Sequence, residues 1–222
     1  MDLAQKFDFL QSHCTEAINH LELHKSLLES IPKEENKYVK SNYQTFWSTT
    51  IKALLNSSVN LLSKLIDQQK DSQSVRSLLY LIKSKKSEFT PDSFWNRLPE
   101  KAEYSNLALR CVYPGDDKID QDIDSVSSDD KDVKRFVVWR NNYYSHFSRT
   151  VVEDATSLSE RFPLNLDDLE LLLDRCSILL NKYEQIYSAS TSTRRYVGFD
   201  DHLNLIKSQR GLLVAYYTRD EL

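Results

Sequence analysis

Residues 3–28, LAQKFDFLQSHCTEAINHLELHKSLL, decide the fold class of this chain. Their apolar and weakly polar positions recur at alternating spacings of four and three residues, which is the heptad pattern of a helix that packs along one seam. The seam consists of Leu3, Phe7, Leu10, Cys14, Ala17, Leu21, His24 and Leu28. Because proline and the residue before it disfavour a continuing helix, we expect this helix to end near Ile31-Pro32.

The same kind of periodicity continues downstream and predicts an all-α bundle of about six or seven helices. Further helices are predicted near residues 36–67, 74–86, 90–98, 100–112, 129–158 and 167–187. Only 3 Gly and 5 Pro occur in 222 residues, which favours long helices over many tight turns. We assign residues 1–197 to one helical domain and residues 198–222 to a C-terminal extension. In the extension a helix is expected near 200–208, while 212–217 fits either strand or helix.

Residues 114–130 form the strongest interruption of the helical pattern. Pro114-Gly115 ends the preceding segment, and eight aspartates against two lysines follow between Gly115 and Asp132. This composition predicts a long, mobile, solvated acidic loop within the domain. Asp120, Asp122 and Asp124 have the spacing that begins a calcium-binding loop, but the glycine and glutamate that such a loop requires later are missing.

Composition and charge exclude several classes of function. The net charge of −4 argues against nucleic-acid binding by bulk charge, although residues 131–149 are locally basic. No apolar run approaches the ~20 residues of a membrane span, and the N-terminus lacks a signal-peptide core, so we expect a cytoplasmic protein without a membrane partner. Cys14, Cys111 and Cys176 are odd in number and widely spaced, which predicts reduced, buried thiols.

The sequence gives little support for a metal or cofactor site. Glu16, His20 and His24 are spaced for one helix face, but His24 falls on the apolar seam and no fourth ligand is evident, so a core histidine is favoured. Glycine-rich phosphate loops and metalloprotease motifs are absent from the sequence. We therefore predict no metal and no cofactor.

The segment 139–146, WRNNYYSH, is the clearest candidate for chemistry, because Arg140 and Asn141 precede His146 by only a few residues. A histidine can take the proton from a ribose 2′-hydroxyl, an arginine can stabilise the charge that develops on phosphorus, and an amide can orient either group. We predict that Arg140, Asn141 and His146 are catalytic residues for RNA cleavage. A second pair, Arg195 and His202, is interrupted by Gly198 and is interpreted as a decoy.

Residues around this motif are predicted to contact RNA. The set comprises Lys134, Arg135, Tyr143, Tyr144 and Arg149. Cations bind phosphates and tyrosines stack on bases, although packing in the core or in a dimer explains the two tyrosines equally well. A structural ion pair or a helix-capping histidine is the alternative interpretation of the motif itself.

The spacing of Arg140 and His146 favours a site that two chains build together. Residues six apart on a straight helix differ by ~9 Å of rise and ~120° of rotation, so the two side chains do not share a face. Either the helix is broken between them, or a twofold dimer brings both copies into one cleft. We favour the homodimer.

The chain resembles the HEPN-domain proteins, and among them the abortive-infection (AbiU-type) helical toxins of bacteria. Arg140, Asn141 and His146 match the hallmark motif of that group. Similar patterns recur in the stretches 46–47, 53–54, 61–67, 78–79 and 164–169, so the resemblance covers roughly residues 1–187.

The resemblance implies an all-α, dimeric, metal-independent endoribonuclease with a toxin or antiviral role. It implies that His146 acts as the base, that Arg140 stabilises the transition state and that Asn141 orients. RNA is then the substrate, and a cognate antitoxin or other regulatory protein is an expected partner. Some members carry a modifiable tyrosine two residues after the histidine, where this chain has Ser148. Other HEPN domains are non-catalytic scaffolds that bind RNA or a protein, which is the alternative function.

Overall fold

A computed structural model of the chain describes residues 1–97, 111–141, 164–192 and 200–217. These residues form α-helices, short 3-10 helices and turns and contain no strand, which confirms the predicted all-α class. The helices are α1 (Leu3–Ser30), α2 (Lys37–Asn42), α3 (Gln44–Leu65), α4 (Val75–Ser84), α5 (Pro91–Arg97), α6 (Asp116–Ser125), α7 (Lys131–Arg140), α8 (Leu166–Ser188) and α9 (Asp201–Tyr217). Short 3-10 helices cover Glu34–Asn36 and Lys86–Glu88.

Helix α1 is the central element and packs against both α3 and α8. It begins at a capping box, in which the Asp2 carboxylate accepts the Gln5 amide at 2.8 Å and Gln5 Oε1 accepts the Asp2 amide at 3.2 Å. The predicted seam is buried from Leu3 to His24, but at its end Leu27 is buried and Leu28 is 43% exposed. Leu27 is buried because it packs into a separate apolar cluster with Ile31 and Trp47 at the end of the helix.

The single helix predicted for residues 36–67 is two helices. The backbone breaks at Tyr43, with φ −124° and ψ 29°, between α2 and α3. As a result Trp47 is buried while Phe46, its neighbour, is 57% exposed. A second, smaller apolar cluster forms at this end of the molecule from Leu27, Ile31, Val39, Trp47 and Ile206. Helix α9 joins the fold through this cluster, and its helical course to Tyr217 settles the open assignment of 212–217 as helix.

The acidic segment after Gly115 is a helix, so the predicted mobile loop is wrong. Gly115 has φ +97°, a conformation that a residue with a side chain rarely adopts, and it turns the chain into α6. Ile119 and Ile123, one turn apart, are buried in the main core. Lysines from α4, from the following turn and from α8 neutralise the aspartates, in the pairs Lys83–Asp120 at 2.6 Å, Lys86–Asp116 at 2.5 Å and Lys182–Asp122 at 2.5 Å. Burial of the two isoleucines on one face of α6 therefore outweighs the repulsion among the aspartates on its other face.

Most remaining predictions of local structure are confirmed. The helices predicted for 74–86 and 167–187 are present as α4 and α8, and the three cysteines are buried and form no disulfide. Of the helix predicted for 100–112, residues 100–110 lie outside the described residues, whereas Cys111 and Val112 are not helical.

Neither a metal cluster nor a membrane-spanning helix is evident in the described part of the chain. His24 Nδ1 lies 2.8 Å from the carbonyl oxygen of Ile51, as a satisfied core histidine would. Over residues 1–97, 111–141, 164–192 and 200–217, no group of three or more His, Cys, Asp or Glu side chains is arranged to hold a metal ion. None of the described helices is both long and apolar enough to cross a membrane.

Candidate functional site

Helix α7 carries the first half of the motif, and its own sequence determines how it sits in the fold. The Asp130 carboxylate caps its N-terminus by accepting the amides of Asp132 and Val133, both at 3.0 Å. Val133 and Phe136 are fully buried in the main core. Lys131 and Lys134 lie outside this buried face and are exposed to solvent.

Two arginines fix α7 against α8 and the end of α6. Arg175 of α8 reaches Asp130 at 2.8 Å, Asp132 at 3.1 Å and the carbonyl oxygen of Ser125 at 2.8 Å. Arg135 of α7 lies 3.5 Å from Asp132 and makes a short contact with Asp168, the residue that completes the capping box of α8. Asp132 is thus shared between both arginines, and this network restrains rotation of α7 about its axis.

The electrostatics of this network favour the ionised forms of Asp130 and Arg175. Burial on its own would raise the pKa of Asp130, but hydrogen bonds from the Val133 amide and from Arg175 outweigh it and hold that pKa below its usual range. Burial on its own would lower the pKa of Arg175, but Asp130 and Asp132 outweigh burial and raise that pKa above its ordinary value. The pairs therefore stay charged at neutral pH.

Arg140 and Asn141 are in direct contact at the C-terminal end of α7. The Asn141 side-chain oxygen accepts from Arg140 Nε at 3.0 Å and from Arg140 Nη2 at 2.7 Å. Asn141 is exposed and Arg140 is half-buried. Two of the five guanidinium N–H groups are used in this way, and the others have no acceptor among the described residues, so they can bind an anion. The amide thereby orients the guanidinium.

His146, Tyr143, Tyr144 and Arg149 lie outside the described residues. Of the second Arg–His pair, Arg195 also lies outside them, while His202 Nε2 is 2.7 Å from Ser26 Oγ on α1.

The two described residues of the predicted RNA-binding set differ in their surroundings. Lys134 is exposed and has no ion pair among the described residues, so its charge is available to a phosphate. Lys134 and Arg135 line one groove with Lys131 and Asp132, but the carboxylates of Asp132 and Asp168 already balance the charge of Arg135.

Sequence reasoning missed Arg175 and Asp168 as parts of this region. The sequence does contain a signal for Asp168, because Asn165 and Asp168 have the spacing of a capping box at the start of a helix. Arg175 had none, because its partners Asp130 and Asp132 are more than 40 positions earlier in the chain and only packing brings them together.

Comparison with known proteins gives one match. The family model HEPN_AbiU2, described as AbiU2, matches residues 2–205, which is most of the chain. No curated protein and no solved structure shows significant similarity to the chain.

Proposed function

The chain belongs to the AbiU2 family of HEPN-domain proteins, and from that membership we propose that it is a metal-independent endoribonuclease acting in abortive infection. The observation that carries the proposal is the contact of Arg140 with Asn141. It presents an arginine whose direction is set by an amide, with N–H groups left over for a phosphate. Arg140 has no carboxylate partner among the described residues, so its positive charge is available to a phosphate.

The proposed reaction is transesterification within RNA. His146 accepts the proton of a ribose 2′-hydroxyl, and the freed oxygen attacks the adjacent phosphorus. The bond from phosphorus to the 5′-oxygen of the next nucleotide then breaks, the leaving oxygen takes a proton from the histidinium, and a 2′,3′-cyclic phosphate remains. Arg140 stabilises the extra negative charge on phosphorus in the transition state, and Asn141 keeps the guanidinium in position.

Two copies of the chain are proposed to share the site. Arg140 ends α7, and His146 follows six residues later in the sequence, so a continuous helix would point the two side chains in different directions. A twofold axis beside the motif places the arginine of one copy near the histidine of the other. The site then forms only in the dimer.

The test is induced expression in a bacterial host of the wild type and of His146→Ala, followed by analysis of total RNA. We expect growth arrest and RNA fragments with 2′,3′-cyclic phosphate ends from the wild type and neither from His146→Ala. His13→Ala is the matched control, since His13 contacts only the Phe9 carbonyl and ring within the described residues.

Each other outcome has a distinct meaning. Arrest by both the wild type and His146→Ala, without fragmentation, contradicts the nuclease and supports a scaffold that acts by binding RNA or a regulatory partner. Purified protein is assayed in the presence of EDTA, because cleavage that requires an added divalent ion contradicts the proposed mechanism.

A further inference from the structure

The turn between α3 and α4 borders an open cavity of about 470 Å³, and neither Arg140 nor Asn141 lines it. This volume lies within the range of about 300–1,000 Å³ that is usual for small-molecule sites. The wall combines two cations, an aromatic ring and small polar groups. The lining residues that matter here are Asp67, Lys70, Arg76, Ser77 and Tyr80.

Among the described residues, Arg76 has no carboxylate partner. Its Nη1 donates to the Gln68 carbonyl oxygen and its Nη2 to the Tyr80 hydroxyl, both at the long distance of 3.3 Å. Its Nε is buried and has no acceptor among the described residues, and no described carboxylate lies within ion-pair distance. The positive charge is therefore not neutralised, and N–H groups are left for an anion. A guanidinium is well suited to bind a phosphate.

Lys70 adds a second positive charge to the same wall. It is exposed and makes no ion pair within the described residues. Asp67 is the only carboxylate among the lining residues, and its Oδ1 accepts the Gln69 amide at 3.0 Å. The lining therefore carries a net charge of +1. This charge favours the binding of an anion such as a phosphate group over the binding of a cation.

Tyr80 supplies a ring for an aromatic ligand. The Arg76 guanidinium lies 5.3 Å from the centre of the ring, and 49% of the residue is exposed. Any nucleobase can stack on such a ring, because every base has a π-face. A stacking surface next to unneutralised cations matches the two chemically different parts of a nucleotide, the base and the phosphate.

The floor of the cavity is held by hydrogen bonds from Gln68. Its Nε2 donates to the Val126 carbonyl oxygen at 2.9 Å, and its Oε1 accepts the Ser128 amide at 3.1 Å. These bonds tie the turn to the segment that precedes α7. The cavity thus lies towards the N-terminal end of α7, whereas Arg140 is the last residue of that helix, about 14 Å further along its axis.

We propose that this cavity is a nucleotide-binding site, in which a base stacks on Tyr80 and the phosphate binds Arg76 and Lys70. The nucleotide can be a free mononucleotide or one unit of an RNA strand, since both present the same base and phosphate. This goes beyond the proposed cleavage, and the test uses a probe that cannot be cleaved, so the two proposals succeed or fail separately.

The experiment measures the binding of a fluorescent 2′-O-methyl hexa-adenylate by anisotropy and of AMP by calorimetry, with the full chain. Tyr80→Ala should weaken binding about 5- to 150-fold, the range for loss of one base–aromatic stack. Arg76→Gln should weaken it about 10- to 150-fold, the range for loss of a charged hydrogen bond. Tyr80→Phe keeps the ring and should bind like the wild type.

The controls are Lys52→Gln, an exposed lysine of α3 outside the cavity, and Tyr216→Ala, a tyrosine of α9 that is 66% exposed. Both should leave binding unchanged, and circular dichroism checks that every variant is folded. If AMP binds and the cavity variants lose it, the site takes a free nucleotide; if only the oligomer binds and they weaken it, the site takes an RNA unit. No binding by the wild type, or equal effects of control and cavity variants, overturns the proposal.

Discussion

Asn141 sets the direction of the Arg140 guanidinium, because one amide oxygen accepts from both Nε and Nη2. Arginine is needed for this arrangement, since a lysine ammonium has no pair of donors in a fixed fork. The contact uses the side of the guanidinium formed by Nε and Nη2 and leaves Nη1 for a ligand. In the proposed reaction this orientation is the contribution of Asn141, which acts through Arg140 and does not itself bind the reacting phosphate.

At the residue scale we expect Arg140→Lys to lower kcat for RNA cleavage about 10²- to 10³-fold, the range for loss of one oriented transition-state donor. Lysine keeps the positive charge but cannot be oriented by Asn141. Single-turnover cleavage of a defined RNA measures the effect. Arg210→Lys is the control, because Arg210 pairs with Glu35 at a partly exposed position on α9. Retained activity in Arg140→Lys would mean that charge alone is sufficient.

At the scale of elements, α6 shows how a strongly acidic segment becomes an ordered helix. Its two isoleucines are buried one turn apart, at 0% and 4% exposure, and its aspartates meet lysines from elements on both sides. Tyr183 adds a hydrogen bond to Asp122 at 2.6 Å, and burial together with this bond raises the pKa of Tyr183 well above its ordinary value. The hydroxyl therefore remains a donor at any physiological pH.

For this element we expect Ile119→Ala to lower the free energy of unfolding by about 2–5 kcal/mol, because it removes a fully buried side chain and leaves a cavity. Gln121→Ala, at an exposed position of the same helix, should change it by less than about 0.5 kcal/mol. Urea denaturation followed by circular dichroism measures both. Equal, small effects of the two substitutions would restore the interpretation of this segment as a loop.

At the scale of the whole molecule, paired carboxylates distribute stability across the interfaces of α6, α7 and α8. The Lys86 and Tyr113 hydrogen bonds lower the pKa of Asp116, and the network around Arg175 lowers that of Asp130. A carboxylate whose pKa is lower in the folded state contributes stability that is complete above its unfolded pKa, about 3.9. That contribution is lost as the pH falls through the folded value.

We therefore expect the urea midpoint to be constant near neutral pH and to fall steadily below about pH 4. Asp130→Asn keeps a capping side chain but removes the charge that pairs with Arg175. This variant should be less stable than the wild type at pH 7, and the difference should shrink as the pH approaches 2. If the urea midpoints of the two proteins differed by the same amount at every pH, the ionised Asp130 carboxylate would not be the cause of the difference.

The proposed shared site makes a second prediction for the whole molecule. Light scattering should give twice the mass of one chain at concentrations where RNA is cleaved, because Arg140 and His146 are expected to meet only across a twofold axis. Mixing Arg140→Ala with His146→Ala should restore part of the activity, since a mixed dimer keeps one complete pair. A strict monomer that cleaves RNA would contradict the shared site.

Features that depend on neighbours in the chain could be predicted from the amino-acid sequence alone. Heptad spacing predicted α1, apolar periodicity predicted α4 and α8, and adjacency in the sequence placed Arg140 beside Asn141. Tertiary structure decided what depends on distant partners. Lys182 meets Asp122 from 60 positions away, and Arg175 meets Asp132 from 43, so neither the order of α6 nor the anchoring of α7 has a local signal. The physical reason is that caps and periodicity act within a few residues, whereas the energy of an ion pair or a buried side chain depends on which surfaces the fold brings into contact.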